Sequence, residues 1–82
     1  MITKLENRFE DLKEKFSNDQ IVLVFAKFES EKILEQTTLS LSLLKNIDKN
    51  DPLKQRFTSL HKQVVEFDDF LADLIEEKHH TI

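Results

Sequence analysis

Residues 21–44 read IVLVFAKFESEKILEQTTLSLSLL, and the fold turns on whether they form strands around a helix or one helix throughout. Ile21-Val22-Leu23-Val24-Phe25 and Leu39-Ser40-Leu41-Ser42-Leu43 look strand-like in isolation. The stretch between them, Lys27 to Gln36, is helical in composition. The chain contains no glycine and a single proline. Two-residue hairpin turns need residues at positive φ, and Asn-Gly, Asp-Gly and Gly-X are all missing. No other turn chemistry separates the three pieces. The expectation is therefore one helix over about residues 19–47, about 40 Å long. The alternative fold, with β-structure at residues 21–25 and 39–43, lacks the turns it needs.

On a helical wheel this segment is apolar on two sides. Phe28, Ile21, Leu39, Phe25, Leu43, Ile47, Val22, Ile33 and Leu44 share one broad face, and Leu23, Leu34 and Leu41 lie nearly opposite. A helix of that kind is central and packs against more than one neighbour. The hydroxyl cluster Thr37, Thr38, Ser40 and Ser42 has poor helix propensity, and marks either a bend or a place where another helix approaches closely.

Towards the N-terminus, Ile2, Leu5, Phe9, Leu12 and Phe16 recur at spacings of 3, 4, 3 and 4. Nearly every other position is charged, which predicts an amphipathic helix over about residues 3–16. Asp11 with Lys15 and Glu10 with Lys13 have the spacing of intrahelical ion pairs. The stripe fails at Ser17-Asn18-Asp19-Gln20, where Ser17 and Gln20 are spaced as a capping box for the next helix.

Towards the C-terminus, Asp48-Lys49-Asn50-Asp51-Pro52 is the clearest boundary. Asp51 suits an N-cap and Pro52 the first helical position, where its missing N–H costs nothing. A third helix is expected over about residues 52–78. Its stripe is Leu53, Phe57, Leu60, Val64, Phe67, Leu71 and Leu74, widened by Val65, Phe70 and Ile75. A four- or five-residue connection makes the two long helices an antiparallel hairpin. The tail, His79 to Ile82, is expected to fray.

Composition narrows the function. The 82 residues form one domain, residues 1–82, near the lower size limit for an unaided core. Without cysteine there are neither disulfides nor thiolate metal sites, so stability falls to helix packing or self-association. Without glycine there is no phosphate-cradling loop. A net charge of −4 argues against nucleic acid as a partner. The apolar run from Ile21 to Ala26 is too short to span a bilayer, and Met1 to Leu5 carries no signal-peptide core. The expectation is a cytoplasmic protein with no membrane contact.

No spacing supplies a nucleophile with a positioned base, so no catalytic residues, cofactor or enzyme activity are expected. Glu76, His79 and His80 allow at most two ligands, and no metal is expected. His61, beside Leu60, reads as a pH-sensitive surface residue with nothing to mark it as a base. Phe9, Phe16, Phe25, Phe28, Phe57 and Phe67 are read as core. Phe70 lies beside its stripe among acids, as a candidate for partner contact.

The acidic run Glu66, Asp68, Asp69, Asp73, Glu76 and Glu77 sits where the helix macrodipole and like-charge spacing both oppose it. Either Lys27, Lys32, Lys13 and Lys15 neutralise it internally, or it is a plain solvated face, or it docks a partner. The candidate partner-binding residues are Phe67, Asp69, Phe70, Asp73, Glu76 and Glu77. The expected architecture is all-α: a short N-terminal helix and a long antiparallel αα-hairpin with coiled-coil-like packing, its core completed by dimerisation. The expected function is a non-catalytic interaction module, a small adaptor, regulator or inhibitor docking another protein with a basic surface. The alternative is a structural homo-oligomer or a subunit of a larger helical complex.

Overall fold

The computed structural model describes residues 1–80, with side chains through Lys78. It is all-helical among these residues: α1 spans Ile2–Ser17, α2 Leu23–Leu43 and α3 Pro52–His80. The helices run up, down and up. Lys27 on α2 meets Asp68 on α3 and Thr37 meets His61, so these two are antiparallel. Arg56 of α3 reaches Glu6 of α1, and Phe70 packs on Phe16, so α1 runs parallel to α3. The molecule measures 48 × 22 × 15 Å, its long dimension set by α3.

The α1 stripe is buried as its spacing requires. Ile2, Leu5, Phe9 and Leu12 join Phe57, Leu60, Val64 and Leu71 of α3, with Ala26 and Ile33 of α2. Both intrahelical pairs of α1 form, Lys13 with Glu10 at 2.8 Å and Lys15 with Asp11 at 3.0 Å. Lys13 also lies 4.6 Å from the centre of the Phe9 ring, a cation–π contact.

α2 is shorter than expected at both ends. Residues 17–20 close α1 instead of opening α2. The Gln20 N–H donates to the Lys15 carbonyl at 2.8 Å and the Asp19 N–H to that of Phe16 at 3.3 Å. Asp19 has φ 55°, so the pair of bonds is a Schellman stop with an aspartate in the left-handed position usually given to glycine. The Ser17–Gln20 capping box does not form, because Ser17 is the last residue of α1 and the N-cap of α2 is Val22, without a side-chain cap. At the other end Leu44 caps α2, leaving residues 44–51 as the connection. There the Asn50 N–H donates to Asp48 Oδ1 at 2.9 Å, and Lys54 Nζ donates to the Ile47 carbonyl at 2.8 Å.

α3 begins at Pro52, with Asp51 Oδ1 accepting from the Leu53 and Lys54 N–H groups at 2.9 and 3.3 Å. Its backbone continues to His80, two residues past the expected end. The remainder of the tail, Thr81 and Ile82, lies outside the described residues.

Candidate interaction surface

α2 packs on both α3 and α1, yet it does so with its least apolar side. The buried residues are Ala26, Ser30, Ile33, Thr37 and Ser40, spaced 4, 3, 4 and 3. Small side chains along this seam let α3 approach closely, and most of the hydroxyls on it are paired. The Ser30 hydroxyl and Lys27 Nζ, the latter at 2.8 Å, converge on the Asp68 carboxylate. Lys27 also reaches Glu31 at 3.1 Å. Thr37 Oγ1 lies 2.9 Å from His61 Nδ1 and donates to the Leu34 carbonyl at 2.9 Å, which leaves the imidazole N–H to donate to Thr37. Ser40 Oγ is buried with no hydrogen-bond partner among the described residues.

The electrostatics follow from these contacts. Burial works against the Lys27 ammonium, but hydrogen bonds from it to Asp68 and Glu31 outweigh that cost. Its pKa therefore stands above the usual 10.5. On the other flank of α2, Arg8 Nε donates to Glu29 Oε2 at 3.1 Å and its Nη2 to Oε1 at 3.3 Å. The guanidinium holds Glu29 below its usual 4.5 against the opposing effect of burial, with Lys32 and Lys15 assisting.

This seam turns part of the broad apolar face outward, while Ile33 of that face is buried and Ile21 and Leu44 pack half-buried against the core. Phe25, Phe28, Leu39 and Leu43 are 60%, 55%, 54% and 82% exposed, with Val22 and Val24 beside them. Phe25 and Phe28 are therefore not core residues, contrary to expectation. The second apolar side, Leu23, Leu34 and Leu41, is half-buried against the core. Of the hydroxyl cluster, Thr37 and Ser40 occupy the helix contact, and Thr38 and Ser42 are exposed. The outward residues 25, 28, 32, 35, 39 and 43 form a continuous line about 27 Å long, apolar at both ends, with Lys32 and Glu35 in the middle. At its Leu43 end the line meets an apolar cleft of about 290 Å³, bounded by Met1, Ile2, Ser40, Leu44, Leu53 and Phe57.

The candidate residues of α3 divide. Phe67 is half-buried in a ring cluster, edge-on to Phe9 at 5.7 Å and to Phe16 at 5.9 Å. Phe70, 49% exposed, lies at the rim of that cluster. Asp69, Asp73, Glu76 and Glu77 are exposed along the outer side of α3. Lys27 neutralises Asp68, whereas Lys32 turns to Glu29, and Lys13 and Lys15 pair within α1. No group of three or more His, Asp or Glu side chains suited to a metal ion occurs among the described residues, which exclude the side chains of His79 and His80. No described helix is long and apolar enough to cross a membrane.

Sequence reading found the broad face of α2 but not its direction, and it missed Asp68 and Ser30 as a buried pair. The signal was present. Ala26, Ser30, Ile33, Thr37 and Ser40 keep a heptad spacing, but their mixed polarity hides it from a search for apolar stripes. Comparisons with family models, characterised proteins and solved structures find no match to this chain.

Proposed function

We propose that this chain is a non-catalytic protein–protein interaction module, a small adaptor, regulator or inhibitor that works through the outward face of α2. One observation carries the reading: four large apolar side chains, each more than half exposed, stand on a single line of one helix. Scattered exposed hydrophobic residues are ordinary, but an aligned set framed by polar residues is the mark of an interface. The accessible surface, 5958 Å², also exceeds the about 5,100 Å² usual for a folded chain of 9.7 kDa. The radius of gyration, 14.2 Å, exceeds the about 12 Å of a compact chain of this length. An elongated bundle with such an apolar line on its outside would cover that line by association.

The test is to replace Phe28 and Leu39 by aspartate and compare partner capture by tagged protein in its own host. Both residues lie outside the core, so helicity should persist while binding, whether to another protein or to further copies of the chain, is lost. Undiminished recovery of the same partners by Phe28→Asp/Leu39→Asp would overturn the reading.

The outer side of α3 supports a second reading, a docking strip for a basic partner. Its basis is the half-exposed Phe70 beside the exposed carboxylates of Asp69 and Asp73. The reversal Asp69→Lys/Asp73→Lys separates the two. It abolishes capture if the strip docks the partner, and leaves capture intact if α2 does.

A further inference from the structure

The outward line of α2 has the same character read from either end. From the midpoint between Ile33 and Leu34, Lys32 and Glu35 stand equally far to either side, as do Phe28 and Leu39. Phe25 and Leu43 match to within one residue. Opposite charges flank the centre, and apolar side chains occupy both ends. Turned end over end, the line presents Glu35 to Lys32, Leu39 to Phe28 and Leu43 to Phe25. That is what a closed two-fold interface demands, since one patch serves on both copies and each contact occurs twice. Parallel pairing would instead set Lys32 against Lys32 and Glu35 against Glu35. A partner of unrelated sequence imposes no such symmetry on the face it meets.

The two central charges are available for it. Glu35 makes no ion pair among the described residues, and Lys32 has only Glu29 at 3.9 Å, a carboxylate already held by Arg8. The ends are matched as well. Leu43 lines the apolar cleft beside Met1 and Ile2, and Phe25, eighteen residues or five helical turns earlier, stands at the same angle on α2. An antiparallel second copy brings its own Phe25 to that cleft.

We infer that the occupant of the α2 face is a second copy of this chain, docked antiparallel so that Lys32 of each copy meets Glu35 of the other and Phe28 meets Leu39. This rests on the reading of α2 as the interaction surface and supplies its partner and register. The two acidic strips of α3 remain outside the interface, since α3 faces α2 through Asp68 and not through Asp69 or Asp73.

Charge exchange tests the register. Lys32→Glu sets four carboxylates around the two-fold axis and should weaken the dimer about tenfold or more, because each substitution acts twice. The exchanged variant Lys32→Glu/Glu35→Lys should return the dissociation constant to near its original value. Thiol pairing tests the direction, and the absence of native cysteine makes it clean. When chains carrying Phe28→Cys are mixed with chains carrying Leu39→Cys and oxidised, the mixed disulfide should dominate. Predominance of the Phe28→Cys homodisulfide, or no recovery on charge exchange, would overturn the antiparallel pairing. A helical monomer at millimolar concentration would overturn the second copy as occupant but leave the interaction reading standing. A dimer indifferent to Phe28→Asp/Leu39→Asp would remove both.

Discussion

Asp68 is the residue on which the inner seam of α2 depends. It is 8% exposed, and its carboxylate accepts from Lys27 and from Ser30. A buried ion pair adds little over a well-packed apolar pair, and without Asp68 the Lys27 ammonium keeps Glu31 as its carboxylate partner. Asp68→Ala should therefore cost about 1–2 kcal/mol in urea unfolding followed by helical circular dichroism. The double change Lys27→Met/Asp68→Leu should recover most of that loss. A null result for Asp68→Ala would mean that the contact contributes nothing to stability. The same network sets the pH limits. Lys27 is raised in the folded state, so its contribution is intact below pH 10.5 and falls as pH climbs through the folded value. Glu29 is lowered, so its contribution is intact above pH 4.5 and falls as pH drops through the folded value. The acid-side loss due to Glu29 should disappear in Arg8→Ala.

At the scale of the element, the ends of the helices carry as much information as their stripes. Asp51 caps α3 through two backbone N–H groups, so Asp51→Ala should cost about 1 kcal/mol, or a fall of some 4–8 °C in Tm. Asp19 holds φ 55° at the end of α1, where glycine is better suited, so Asp19→Gly should raise Tm by a few degrees. Were Asp19→Gly destabilising, the Schellman stop would not be the feature ending α1. The stripes of α1 and α3 and the Asp51-Pro52 start were legible in the sequence because each follows from local spacing and capping chemistry. The stop at Asp19 was not, because Ser17 and Gln20 carry a capping-box spacing that the backbone overrides. The direction of α2 was hidden for a different reason. Its two sides compete for the core, and the choice falls to the seam whose small residues allow close approach to α3 and whose Lys27–Asp68 pair forms across it. No property of α2 alone decides that competition.

The whole molecule is a three-helix bundle in which α2 turns four large apolar side chains away from its own core. Two facts bear on that arrangement together. The fully buried part of the core comes mainly from the α1 and α3 stripes, with Ala26 and Ile33 from α2, and Leu23, Leu34 and Leu41 of α2 pack half-buried against it. The side chains that could have enlarged it, Phe25, Phe28, Leu39 and Leu43, lie on the far side of α2 and match themselves when reversed. Of the α3 candidates, Phe67 belongs with the core rings, and Asp69 and Asp73 stay at the surface. In the dimer proposed above, the two α2 helices would cover each other's outward apolar side chains, with the acidic strips left outside for any further partner. The most direct measurement is molar mass by light scattering from micromolar to millimolar concentration. Refractive-index detection is needed, because the chain has neither tyrosine nor tryptophan. An antiparallel dimer gives twice the 9.7 kDa chain mass, falling towards the single value on dilution, and the single value at every concentration for Phe28→Asp/Leu39→Asp. A mass of one chain throughout, unchanged by those substitutions, would contradict it.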